Sequence, residues 1–220
     1  MKVAVSEAVM PTVFVNWQCD ARRDLFEALT RGEHPRFLSA HLPVVSTLNE
    51  PGATFPIHST TKGVGLLPKP EYLAGHVAEL TDCLARCRNR PTRETLAERV
   101  ATALSLYDQK ERIDPMVFGG IEIFGGRTHA NVLHDPRVTL LFTGLAPRYP
   151  SHQFNCRAEI VEPNDPRFEY LRGMRLLFEF ESFHIRQPAY PKGYLFHIQE
   201  VFDKTPRRLG GPRADAHHNH

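Results

Sequence analysis

Residues 116–163 constrain the fold more than any other part of the chain. Residues 116–124 are rich in β-branched and aromatic side chains and stop at Gly125-Gly126, the pattern of a strand closed by a tight turn. Thr128 is placed to cap a brief helix across Ala130, Asn131 and Leu133. Asp135-Pro136 must end that helix, because proline disfavours the α conformation in the residue before it. Residues 138–142 are a continuous apolar run of strand length, which predicts a strand buried on both faces. After a short linker, residues 153–161 predict another strand. Arg127 and Thr128 therefore fall where the chain enters a helix. Free backbone N–H groups and the positive end of the dipole favour an anion there, and a guanidinium with a hydroxyl would complete a phosphate cradle.

This order of elements resembles the flavin-binding split-barrel family, the group that includes pyridoxamine 5′-phosphate oxidase. The residues that carry the resemblance are Arg127, Thr128, Asn131, Asp135, Pro136, Arg137 and Val138, followed by the strand that begins at Gln153. Cys156 stands where the family more often has glycine. The resemblance implies an α+β, mainly β fold: a six- to seven-stranded antiparallel split barrel with flanking helices. It also implies a homodimer with FMN between its subunits. Arg127 and Thr128 would clamp the phosphate, helped by Lys62 or by Ser59 and Thr60; Asn131 would support the site, and Gln153 would reach the flavin ring. The pyridoxal-phosphate pattern of a true pyridoxamine phosphate oxidase is not apparent, so vitamin B6 is not assigned as substrate. Some members of the family bind haem instead, degrading it or using it for oxidative or N–N bond-forming chemistry. For that alternative the axial ligand would be a strand histidine, His184 or His58 first.

The flanking sequence supplies the remaining elements. Residues 13–17 lean towards β and are expected to form an arm or edge strand, after which Asp20 is placed to cap a helix that runs to Arg31 with Gly32 just beyond it. Residues 41–48 and 53–60 flank an Asn-Glu-Pro-Gly turn and predict a hairpin, with Pro56 confining the second strand to an edge or a bulge. Between residues 69 and 112 the apolar pattern turns helical: Leu73, Val77, Leu80, Leu84 and Cys87, then Leu96, Val100, Leu104 and Tyr107 after Asn89-Arg90-Pro91. A minimal barrel has no need of such a helical hairpin, so it is expected to be an insertion. Asp165 and Pro166 predict the start of another helix. Residues 182–187 and 193–202 predict two closing strands, and the Gly/Pro/Arg/His-rich residues 207–220 a disordered tail behind a single domain of residues 1–206.

Composition narrows the function classes. A net charge of +2 gives no case for a nucleic-acid or membrane-surface partner. No segment is long and apolar enough to span a bilayer, and Glu7 and Pro11 in the first apolar run argue against a signal peptide. Cys19, Cys83, Cys87 and Cys156 lack zinc or redox-motif spacing and are expected to be reduced structural thiols in a cytoplasmic protein, with no metal site. No nucleophile elbow, phosphate-binding P-loop or Rossmann glycine pattern is present, so a bound cofactor is the expected source of reactivity. The expected function is FMN-dependent oxidation or reduction of a small-molecule substrate; a haem enzyme, or a flavin or haem carrier without turnover, are the alternatives.

Overall fold

A computed structural model of the chain describes residues 8–33, 39–145, 149–179 and 187–206. Seven strands form one sheet: β1 (Val44–Leu48), β2 (Ile57–Thr61), β3 (Gly65–Pro68), β4 (Ile113–Ile121), β5 (Arg137–Thr143), β6 (Ser151–Val161) and β7 (Gly193–Asp203). Five helices accompany them: α1 (Thr12–Thr30), α2 (Pro70–Cys87), α3 (Thr92–Tyr107), α4 (Arg127–His134) and α5 (Pro166–Leu177). The strand order is β2-β1-β5-β6-β7-β4-β3, and every neighbouring pair is antiparallel.

The edge strands β2 and β3 are consecutive in the chain, joined by Lys62, Gly63 and Val64 alone. A flat sheet of this size would hold its edges roughly 29 Å apart at about 4.8 Å per strand spacing. The link reaches at most about 14 Å. The sheet must therefore curl until its edges approach, which makes it a barrel with an open seam. At Gly120 the curl leaves no room for a side chain, since a Cβ there would lie 2.7 Å from the carbonyl oxygen of Gly63. The fold is thus the α+β split barrel that the sequence led us to expect.

Phe14 of α1 fills the barrel interior. Its ring centroid lies 5.8, 5.1 and 4.7 Å from those of Phe118, Phe142 and Phe154, which project inward from β4, β5 and β6. Each such buried ring contributes roughly 1.5–3 kcal/mol of transfer free energy. That burial explains why residues 13–17 are helical rather than a strand. The buried residues Phe14, Gln18, Arg22, Phe26 and Leu29 fall on one helical face, and this packing outweighs the β preference of Val13 and Val15. The helix starts at Thr12 behind Pro11, so Asp20 lies within it and caps nothing.

The helices α2 and α3 interrupt a hairpin. Pro68 and Ile113, the residues that bracket them, are cross-strand partners, and the Lys69 N–H donates to the Arg112 carbonyl at 2.8 Å. α5 packs on β3 and β4 and α2 on β3, while α3 packs against α1, α2 and α5. Their buried faces, with Leu73, His76, Leu80, Cys83 and Cys87 on α2 and Val100, Ala103, Leu106 and Tyr107 on α3, lie about one residue round from those the spacing predicts. On α5 the expected cap is present: the Asp165 carboxylate accepts from the Arg167 N–H at 2.8 Å.

Three boundaries differ from expectation. The four-residue strand β3 ends in a proline and carries no alternation, so pattern alone gives it no signal. The β1–β2 loop runs from Asn49 to Pro56 because Asn49 closes it, donating from its backbone to the Pro56 carbonyl and from its amide to the Phe55 carbonyl. In β5 burial alternates: Val138, Leu140 and Phe142 point inward, while Thr139 and Leu141 face outward half-buried. The strand expected over residues 182–187 lies, except for Gln187, outside the described residues, as do His184 and the tail from 207 onward.

Candidate functional site

The segment between β4 and α4 is organised by Glu122, a carboxylate only 3 % exposed. Its Oε1 accepts the backbone N–H groups of Ile123, Phe124 and Gly125 at 3.1, 2.9 and 2.9 Å. Its Oε2 accepts from Lys62 Nζ at 2.9 Å and from the Tyr194 hydroxyl at 2.5 Å. His129 Nδ1 lies 2.9 Å from the same hydroxyl. Burial by itself would raise the Glu122 carboxyl, but the bonds from Tyr194, Lys62 and the backbone outweigh it and hold the group at about 2. The Gly-Gly turn thus already carries an internal anion, and Lys62 is the counter-ion to it.

At the start of α4 the cap position is Gly126, and Thr128 is buried within the first turn instead of capping it. Arg127 is exposed there and makes no side-chain hydrogen bond or ion pair with another described residue. Asn131, 4 % exposed, donates to Thr47 Oγ1 and Asn49 Oδ1, both at 2.9 Å, and so pins α4 to the end of β1. That is a structural bond which a lone asparagine in a sequence does not reveal.

The most site-like surface is the outer face of β2, β1, β5, β6 and β7, where the register sets Ser59, Ser46, Thr139, Asn155 and Glu200 side by side in one row. Three of the four adjacent pairs bond to one another. Ser46 and Ser59 hydroxyls are 2.8 Å apart; Asn155 Oδ1 accepts from Thr139 at 3.0 Å and from Gln153 at 3.1 Å; Asn155 Nδ2 donates to Glu200 at 2.6 Å. A groove of about 460 Å³ runs over this row, bounded by Arg137, Arg157, Leu48 and Ile57. Small-molecule sites usually measure roughly 300–1,000 Å³, so the groove is of the right size. Arg137 is held by Asp135 through a bond of 2.5 Å, which keeps the Asp135 carboxyl at about 2. The Arg157 side chain is exposed and has no such partner among the described residues.

The structure therefore distributes the predicted residues over three places. Ser59 and Gln153 belong to the polar row; Arg127, Thr128 and Asn131 sit on α4; Lys62 is bound to Glu122. Thr60 bonds only weakly to its neighbour's carbonyl at 3.4 Å, and His58, on the edge strand, is partly buried opposite Thr47. No histidine lines the groove. Asn155, Arg157, Thr139 and Ser46 were not singled out from sequence, although the period-two polar alternation of β5 and β6 would have found the first three. Glu122 and Tyr194 carry no local signal, because their partners lie far away in the chain.

All four cysteines are buried free thiols. Cys83, Cys87 and Glu98 place their donor atoms within 4.8 Å of one another, but Glu98 is engaged by Arg86 at 2.5 Å and burial raises the Cys83 thiol. No helix among the described residues is long and apolar enough to cross a membrane.

No protein-family model and no curated protein matches this chain. Solved structures do. HupZ of Group A Streptococcus is similar at 12% identity and a TM-score of 0.44, covering 84% of this chain and 92% of its own. A candidate pyridoxamine 5′-phosphate oxidase from Lactobacillus delbrueckii is similar at 14% identity and a TM-score of 0.43, over 92% and 99% of the two chains. An FMN-binding protein from Syntrophomonas wolfei is similar at 8% identity and a TM-score of 0.43, over 89% and 92%.

Proposed function

We propose that this protein is an FMN-dependent oxidoreductase acting on a small organic molecule, with the flavin lying in the groove on the outer face of the sheet. The observation that supports this most is the chemistry of the groove. FMN requires a cation for its phosphate, a donor–acceptor edge for its ring and an apolar wall. The groove offers the uncommitted Arg157 guanidinium, the Ser46 and Thr139 hydroxyls, the Asn155 amide, and Leu48 and Ile57 around them. The residues present fit the group.

The chain's own residues have distinct tasks. Arg157 binds the phosphate, and Arg127, likewise without a side-chain partner among the described residues, is available to an anion. Asn155 is locked by Thr139, Gln153 and Glu200, so it holds its neighbours' rotamers fixed. Gln153 keeps one amide hydrogen and its carbonyl oxygen for the ring edge. FMN, when bound, supplies the redox chemistry; the protein supplies orientation and the exclusion of water. Val44, Ile57 and Phe202 expose apolar surface on this same outer face, and we assign that face to a homodimer contact that closes the groove. Haem is the weaker reading on the described residues, because His58 is not part of the groove and His184 lies outside them.

The absorption spectrum of protein purified from cells supplied with riboflavin and iron tests the proposal. Two broad flavin bands, lost with the dimer on dilution in a sedimentation experiment, are the expected result. An intense Soret band instead, abolished in His58→Ala or His184→Ala, would install haem. A colourless protein that takes up neither would leave no cofactor function.

A further inference from the structure

We infer that a second cavity, formed by α1, α5 and the β3–β4 edge, binds a short branched aliphatic carboxylate whose charged end meets Arg22. The cavity measures about 110 Å³ and shares no lining residue with the groove. Arg22 lines it and is 3 % exposed. Its Nη1 donates to Gln18 Oε1 at 2.5 Å and to the Gln18 carbonyl at 3.1 Å, and its Nη2 donates to the Val64 carbonyl at 3.1 Å. The guanidinium stacks over the Tyr107 ring, 5.4 Å from its centroid. All of these partners are neutral, and no Asp or Glu among the described residues pairs with Arg22.

A buried cation without a counter-ion is unusual, because removing a charge from water costs several kcal/mol unless an opposite charge compensates. Here the guanidinium is held by three bonds, which leaves two of its five N–H donors, with the Tyr107 hydroxyl also within reach of the guanidinium. Beside it, the Tyr170 hydroxyl is buried, lines the cavity and has no hydrogen-bond partner among the described residues. Burial keeps that phenol well above its usual range, so it remains an O–H donor. Two forked N–H donors and one O–H donor meet the two oxygens of a carboxylate. The rest of the lining includes Leu25, Phe26 and Met174, which suits an aliphatic body. Arg175 and His41 also line the cavity, but each already has a partner, so an anion with more oxygens than a carboxylate would leave some of them against apolar walls. Size sets the other limit: the cavity is smaller than one of about 150 Å³ that accepts benzene, so an extended cofactor is excluded.

Titration calorimetry on the full chain with isobutyrate and isovalerate as probes, and isobutyramide as the neutral counterpart, tests the inference. Saturable binding of a carboxylate, at least tenfold tighter than the amide, is expected. Arg22→Gln should weaken it tenfold or more, and Tyr170→Phe several-fold. Because Arg22→Gln also loosens the contact to Val64, Met174→Trp provides a second variant: it fills the cavity from a flexible position, leaves Arg22 in place and should abolish binding. Absence of saturable binding by either carboxylate, equal affinity for the amide, or unchanged affinity in Met174→Trp would each overturn the inference.

Discussion

The outer face of this sheet has two halves. Over β3, β4 and the start of β7 it lies under α5 and α2, so that even Leu195 is fully buried and Gly119 has no room for a methyl group beside Leu171 and Leu67. Across β2, β1, β5 and the first part of β6 no helix among the described residues covers it, and the register carries hydroxyls and amides instead. Strand alternation is the same in both halves. What differs is the cover, and cover decides whether an outward residue contributes to stability or is free to meet a ligand.

The contrast is broken or sharpened by four measurements. Leu195→Ala, on the covered half, should cost about 2–5 kcal/mol in urea unfolding, because its site is closed on all sides. A loss under 1 kcal/mol would mean that α5 is not firmly seated. The next effect is acid sensitivity at the boundary between sheet and α4. The Glu122 carboxyl is held at about 2, below its usual 4.5, so its stabilisation is complete above pH about 4.5 and lost as pH falls towards 2. The loss is on the order of 2–3 kcal/mol and should vanish from the pH profile of Glu122→Gln. Asp135 titrates in the same window but contributes at most about 1 kcal/mol, being a surface pair. On the uncovered half, Arg157→Ala should leave unfolding unchanged yet weaken FMN relative to riboflavin by about 1.5–3 kcal/mol in fluorescence titration. Equal weakening of both would remove Arg157 from the phosphate, and the same comparison with Arg127→Ala tests the α4 position. Smallest is Thr139→Val, expected to change stability by no more than about 0.5 kcal/mol; a larger loss, dependent on protein concentration, would mean that the uncovered half is buried between subunits.

The same contrast explains what could be read from sequence. Helices with a cap and an apolar stripe, such as α5 behind Asp165-Pro166 or the α2–α3 pair, announce themselves locally. Residues 13–17 mislead because Val13, Phe14 and Val15 favour strands, while the barrel interior that Phe14 fills is built from residues about a hundred or more positions later. The site divides in the same way. Ser59 lies in the polar row and Gln153 bonds to its Asn155, yet neither lines the groove, and Asn155 itself reads as ordinary strand polarity. Lys62 looked like a free cation because Glu122, its partner, is 60 positions away. Arg22 is one charged residue among several on α1 and no local signal sets it apart, since its lack of a counter-ion among the described residues shows only in the packing.

The pairing of Pro68 with Ile113 bears on the order of folding. A bare loop of residues 69–112 would close that pair at an entropic cost that rises with the logarithm of its length. Helices form within microseconds and turn the long detour into two rods whose far ends return together, so the closure that remains is short. In contact-order terms, the edge of the barrel becomes nearly local once α2 and α3 exist. Helix-favouring substitutions on the exposed side of α2 should then speed refolding more than they slow unfolding in stopped-flow traces, marking the helical pair as a splint that sets the last seam of the sheet.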